Sequence, residues 1–150
     1  MSAASNESSK ARKRALRQLA REERVVYRNL YTVIAPGAGR PDRARGQAMT
    51  QLRYQFPDRY VELYAIERAA PGADIPADIR SKSWQRAMGI LADLRKVPYG
   101  KRLDQLHSEG YSHPAAFDLA TAELRAAEPD LFADLLAREI SMWLTSPPAD

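Results

Sequence analysis

The sequence has no cysteine and only two histidines, His107 and His113, in 150 residues. Without thiols there is no disulfide, no thiolate metal site and no cysteine nucleophile, which fits a reducing compartment. The histidines stand six apart near a turn, which is not the spacing of a helical metal pair, and each reads as a surface or capping residue. So few histidines also leave no Ser-His-Asp arrangement to argue for. No apolar run approaches the roughly 18 residues that cross a bilayer. The N-terminus is polar and then basic, with no apolar stretch behind it, so it does not read as a secretory signal. The expectation is a cytoplasmic protein.

Other absences narrow the chemistry. Glu123, Glu128, Asp130 and Asp134 are scattered around helix ends and form no compact carboxylate cluster for metal-assisted hydrolysis. The loop Gly37-Ala38-Gly39-Arg40 is not followed by the Gly-Lys-Ser/Thr of a phosphate-binding loop, and no strand precedes it. With no pocket chemistry to name, the chain reads as a non-enzyme, with no cofactor, no metal and no small-molecule substrate expected.

Glycine and proline are missing from residues 11–34, and helix formers dominate there. That segment reads as one basic helix behind a disordered tail at 1–10. Three helix pairs follow, at 42–70, 77–109 and 114–145, and then a terminal tail at 146–150. Loops are expected at 35–41 and 71–76. Pro57 with Asp58, and Pro129 with Asp130, each suit a helix N-terminus, where the missing N–H is not needed and the carboxylate meets the positive dipole end. Ser112 reads as an N-cap before Pro114. Trp84, Ala87, Met88, Leu91 and Leu94 mark one buried face, and Phe132, Leu135, Leu136, Ile140 and Trp143 another. The fold class is therefore all-α: about seven short helices, arranged as repeated helix pairs in one domain over 11–145.

The pairs repeat in sequence. Residues 48–67 align without gaps to 120–139, with eight of 20 positions identical, including Leu52-Arg53 with Leu124-Arg125 and both Pro-Asp pairs. Weaker copies begin at Ala15, with Leu19, Tyr27, Leu30 and Tyr31 in step, and at Ala87, with Leu91, Tyr99 and Leu103 in step. The starts at 15, 48, 87 and 120 are 33, 39 and 33 residues apart, a period typical of stacked helix pairs. The repeated tyrosines read as packing residues, burying a ring and keeping a hydroxyl wet. The Leu-Arg-x3-Pro-Asp-x-aromatic pattern looks like motifs in small helical proteins of actinobacteria and their phages; the likeness implies an origin and no activity.

What the chain has in abundance is arginine, 18 against five lysines. Residues 1–102 carry 21 Lys/Arg and 10 Asp/Glu, whereas residues 103–150 carry two and nine. A basic front points to a polyanionic partner. Within it, Arg14, Arg17, Arg21, Arg24 and Arg28 step by three and four, so on one helix they form a line. Guanidinium groups stay charged and grip phosphate in bidentate fashion. Glu22 and Glu23 dilute this line, and Glu23 is placed to pair with neighbouring arginines. Arg40, Arg43 and Arg45 form a second basic zone. Arg80, Lys82 and Arg86 form a third, and Arg95, Lys96, Lys101 and Arg102 a fourth.

The expected function is a non-enzymatic nucleic-acid-binding accessory or regulatory protein. DNA stands ahead of RNA, and Arg14, Arg17, Arg21, Arg24, Arg28, Arg40, Arg43 and Arg45 would contact the backbone. The alternative is a protein-interaction or assembly module, a helical adaptor or shell component. Its basic and acidic ends would join an acidic protein surface or other copies of the chain as a homo-oligomer. No membrane partner is expected, because the first helix lacks Trp and Phe on its apolar side.

Overall fold

A computed structural model describes residues 3–145, the first five of these as backbone alone. Among the described residues there are eight helices and no strand. They are α1 (Ala3–Glu22), α2 (Arg24–Ala38), α3 (Pro41–Gln55), α4 (Pro57–Ala69), α5 (Ala77–Leu94), α6 (Lys96–Ser108), α7 (His113–Ala127) and α8 (Pro129–Thr145).

Several expected boundaries move. Of the expected tails, residues 1, 2 and 146–150 lie outside the described residues. The rest of the N-terminal tail is helical, because α1 is anchored by buried Ala11 and by Ser8 Oγ, 2.7 Å from the Tyr64 hydroxyl. Once a helix is nucleated, each further residue adds one hydrogen bond. The loop expected at 35–41 is mostly helix: α2 continues through Pro36 to Ala38 and stops at Gly39, in the left-handed region at φ 83°. Leu94, expected in the core, is 53% exposed.

The main correction concerns the uninterrupted basic helix at 11–34. It breaks at Glu23, whose φ and ψ are −105° and 49°. Three other residues break the chain in the same way: Phe56 at −126° and 62°, Arg95 at −116° and 37°, and Glu128 at −134° and 61°. In each case the N–H of the break residue closes the helix before it, onto Leu19, Leu52, Leu91 or Leu124. Its carbonyl opens the next helix, accepting from Tyr27, Tyr60, Tyr99 or Phe132. Breaks at 23, 56, 95 and 128 keep the 33, 39 and 33 spacing of the sequence repeat, so all four copies are helix, one-residue break, helix.

These eight helices form two compact units, divided between Ala73 and Asp74, where a single domain was expected over 11–145. In the first unit α1 packs against α4 and α3, and α2 packs against α3. The second unit repeats this: α5 packs against α8, and α6 against α7. Exchanging the two helix pairs of a unit leaves its main pairings unchanged, which is the pattern of an approximate two-fold. An offset of 72 residues converts one unit into the other. Buried Ala15, Leu19, Ala44, Ala48, Val61 and Leu63 correspond to buried Ala87, Leu91, Ala116, Ala120, Ala133 and Leu135. The largest fully buried side chain, Phe132, meets Trp84 edge-on at 4.7 Å between ring centroids. Gly110, at φ 98°, ends α6 with the Tyr111 N–H on the Leu106 carbonyl, a Schellman turn. Ser112 caps α7 as expected, accepting from the Ala115 N–H.

One core position is polar in one unit only. Ser83 is fully buried and its hydroxyl has no hydrogen-bond partner, while its counterpart 72 residues earlier is buried Ala11. An unpaired buried hydroxyl costs about 1–3 kcal/mol, and alanine is the better helix former. Ser83→Ala should therefore raise stability by about 1 kcal/mol, measured by chemical denaturation; a loss of stability would mean that the hydroxyl has a partner.

Candidate functional site

The break at Glu23 decides where the arginines go. α1 continues against α4 before it, and α2 turns onto α3 after it, so the two helices diverge and leave a cleft open between them. Arg17, Ala20 and Arg21 of α1, Arg24, Tyr27, Arg28 and Tyr31 of α2, and Met49 of α3 line it, around about 570 Å³. On α2, residues 24, 27, 28 and 31 share one face by helical spacing. The two tyrosine rings lie 6.4 Å apart, centroid to centroid, at the half-buried level of that face.

The five expected arginines thus part company. Arg17, Arg21, Arg24 and Arg28 are exposed and surround the cleft, not in a straight line but on two helices. Arg14 does not join them. Its Nε donates to Glu67 Oε2 at 2.7 Å, with the two side chains 35% and 17% exposed. The second unit has the same bridge at the same positions: Arg86 Nε lies 3.2 Å from Glu139 Oε2. Arg14 is therefore a clamp between α1 and α4. Sequence spacing along one helix could not reveal a partner 53 residues away. The signal was nevertheless present, because Arg14 with Glu67 and Arg86 with Glu139 are kept together at the 72-residue offset.

The second basic zone also separates. Arg40 makes a loose surface pair with Asp42 at 3.8 Å. Arg43 and Arg45 are exposed in the first turns of α3. Arg45 lies one turn before Met49 on the same side of α3, so it leads toward the cleft, whereas Arg43 does not share that spacing.

Electrostatics sharpen the contrast. Glu22, expected to dilute the line, instead receives Arg59 Nε at 2.7 Å, and Arg59 also pairs with Glu62. The carboxylates, Glu22 foremost, hold the Arg59 guanidinium above its usual range. Glu23, expected to pair with neighbouring arginines, makes no ion pair among the described residues. Among those residues, no carboxylate bridges to Arg17, Arg21, Arg24 or Arg28 either; Arg21 reaches only the Gln18 side-chain oxygen, at 3.2 Å. The basic zones of the second unit are largely consumed. Arg86 meets Glu139, Arg95 meets Glu128 at 2.6 Å, and Arg102 meets Glu123 at 2.8 Å. Lys82 sits over the Trp143 ring.

A matching cleft of about 440 Å³ occupies the corresponding place in the second unit. Gly89, Ala92, Tyr99 and Thr121 line it where Arg17, Ala20, Tyr27 and Met49 line the first. Phe117 takes the position of Arg45, and Trp84 and Met88 add apolar surface. Arg125 is the only cationic side chain lining it; it lies over the Trp84 ring at 5.2 Å, and Asp118 adds a carboxylate. Burial raises the pKa of the Tyr99 hydroxyl. His107 and His113 do meet, rings stacked at 5.4 Å, but among the described residues no three or more His, Cys, Asp or Glu side chains are grouped so that they could hold a metal ion. No helix among them is long and apolar enough to cross a membrane.

Structural and free arginines should separate by mutation. Arg14→Gln should lower stability by about 1 kcal/mol. Arg86→Gln should lower it more, about 1–3 kcal/mol, because Glu139 would be left buried without its cation. Arg21→Gln and Arg28→Gln should stay within about 0.5 kcal/mol of wild type. Denaturant titration of the four variants checks this, and equal losses at Arg14 and Arg21 would contradict it. No protein-family model, curated protein or solved structure matches the chain, so the site rests on its own geometry.

Proposed function

We propose that the protein binds the phosphate backbone of nucleic acid through the cleft of its first unit. The observation that carries this reading is the gathering of four guanidinium groups, none with a carboxylate partner among the described residues, around one concavity. Arginine is the side chain suited to phosphate, since its planar fork matches two phosphate oxygens and its charge persists at any working pH. The charge balance agrees. Residues 1–73 hold 14 Lys/Arg and seven Asp/Glu, whereas residues 74–150 hold nine and 12. Backbone contacts of this kind give affinity and register without reading sequence, which suits an accessory role rather than an operator-specific one. No serine, cysteine, histidine or carboxylate lines the cleft, so the reading is of a binding protein and not an enzyme.

A second reading is association between copies, the basic unit of one against the acidic unit of the next. The same charge difference favours it. Light scattering across ionic strength, on protein freed of nucleic acid, distinguishes the two: this association gives salt-sensitive growth in size with no nucleic acid present.

The binding reading makes a quantitative prediction. Four displaced counterions give a slope of log affinity against log salt near −3.6 on duplex DNA and near −2.8 on a single strand. Replacing Arg17, Arg21, Arg24 and Arg28 together by Gln should bring the slope close to zero and weaken binding by at least about tenfold at 0.1 M salt. Arg14→Gln should leave the slope unchanged. Filter binding across salt concentrations measures both, and a quadruple variant that binds like wild type removes the proposal.

A further inference from the structure

We infer that the cleft takes unpaired nucleotides of a single strand, with Tyr31 stacking on a nucleobase while the surrounding arginines hold the flanking phosphates. This rests on the backbone-binding reading and adds the substrate class. The fold needs an aromatic four residues after each break: Tyr27, Tyr60, Tyr99 and Phe132 all stand there. It does not need one four residues later, where Tyr31 and Tyr64 correspond to Leu103 and Leu136. Tyr64 keeps its hydroxyl occupied, by Ser8 and by Arg68 at 3.0 Å. Tyr31 has no such partner among the described residues, and it lines the arginine cleft. An aromatic ring that the fold can replace by leucine, unbonded at its tip and set one turn beyond Arg28 on the face that also carries Arg24, has the makings of a contact surface.

The chemistry of the cleft selects the ligand. A duplex hides the faces of its bases and offers only their edges in the grooves. It is also convex, so it would meet the guanidinium tips and leave the recessed tyrosines idle. An unpaired nucleotide presents an anion and a flat π-face together, the two features lining this cleft. A volume of about 570 Å³ lies within the range of small-ligand sites, roughly 300–1,000 Å³. Positively charged grooves with aromatic platforms are how proteins hold single strands without reading sequence.

Fluorescence anisotropy tests this with a labelled 12-nucleotide oligothymidylate, a 12-base-pair duplex, and inorganic polyphosphate as competitor. Wild-type protein should bind the single strand more tightly than the duplex at equal salt. Tyr31→Leu should weaken single-strand binding about tenfold, the effect of losing one stacked base, while polyphosphate competes for duplex as before. Tyr31→Phe should retain wild-type affinity. Leucine stands at the corresponding Leu103 and packs there against the Leu106, Ala116 and Ala120 cluster, so the variant should fold. Wild-type protein that binds duplex at least as tightly overturns the inference without needing any variant. So does a Tyr31→Leu variant that binds normally, or one that loses all three ligands equally. Each of these three results leaves the backbone reading standing, whereas failure of the wild type to bind any of the three ligands removes both.

Discussion

The whole arrangement depends on one residue per helix pair leaving helical geometry. At Glu23, Phe56, Arg95 and Glu128 the backbone changes direction while its own N–H and C=O stay inside the hydrogen-bond ladder, one to the helix before and the other to the helix after. Groups at the ends of both helices still lose partners, so the break is held by what it lets pack. Each break sends its first helix against one neighbour and its second against another. Without the break, the residues of α2 would continue along the line of α1 instead of turning onto α3. In the second unit the two break residues are joined directly, Arg95 to Glu128, so the turning points of the unit lie next to one another.

The same turn explains why clefts exist where they do. In the second pair of each unit the aromatic after the break, Tyr60 or Phe132, lies on α4 or α8, which face α1 or α5 along their length, and it is buried. In the first pair the equivalent aromatic, Tyr27 or Tyr99, lies on α2 or α6, which pack mainly on α3 or α7. One flank stays uncovered, and the ring is only half-buried. A concavity at this place is thus a by-product of joining two helix pairs. Its lining is free to vary, and the two units differ there more than in their cores.

Much of this was readable from the chain alone, and the exceptions have physical causes. Breaks at Phe56 and Glu128 announce themselves because the residue before a proline avoids helical geometry, and Pro98 places another near Arg95. Glu23 carries no such mark: the residues around it are adequate helix formers, and the break there follows from packing between segments remote in sequence. The period of 33, 39 and 33 held an indirect sign of it that the expectation of one helix over 11–34 passed over: Ala15 stands eight residues before Glu23 as Ala48 stands eight before Phe56. Helical spacing correctly grouped Arg17 with Arg21 and Arg24 with Arg28, because each pair lies within a single helix. It failed across the break, and it failed for Arg14, whose partner Glu67 lies on a different helix. Long-range ion pairs have no local sequence signature.

Internal duplication supplies what a set of relatives would otherwise give, a second solution to the same packing problem. Positions alike in both units are those the fold requires: the alanines and leucines of the buried faces, the Arg14–Glu67 and Arg86–Glu139 bridges, and the aromatic after each break. Positions that differ are where the units are free to take on separate tasks. Arg17, Arg21 and Arg28 of the first unit become Gly89, Asp93 and Gly100 in the second, with no loss of the surrounding core. The fold therefore does not explain those arginines. Four like charges around one concavity repel one another in the folded state, and no carboxylate among the described residues relieves them. Arginines that the second unit does without at three of four positions, and that repel one another where they stand, are the ground on which an anion is proposed for this cleft.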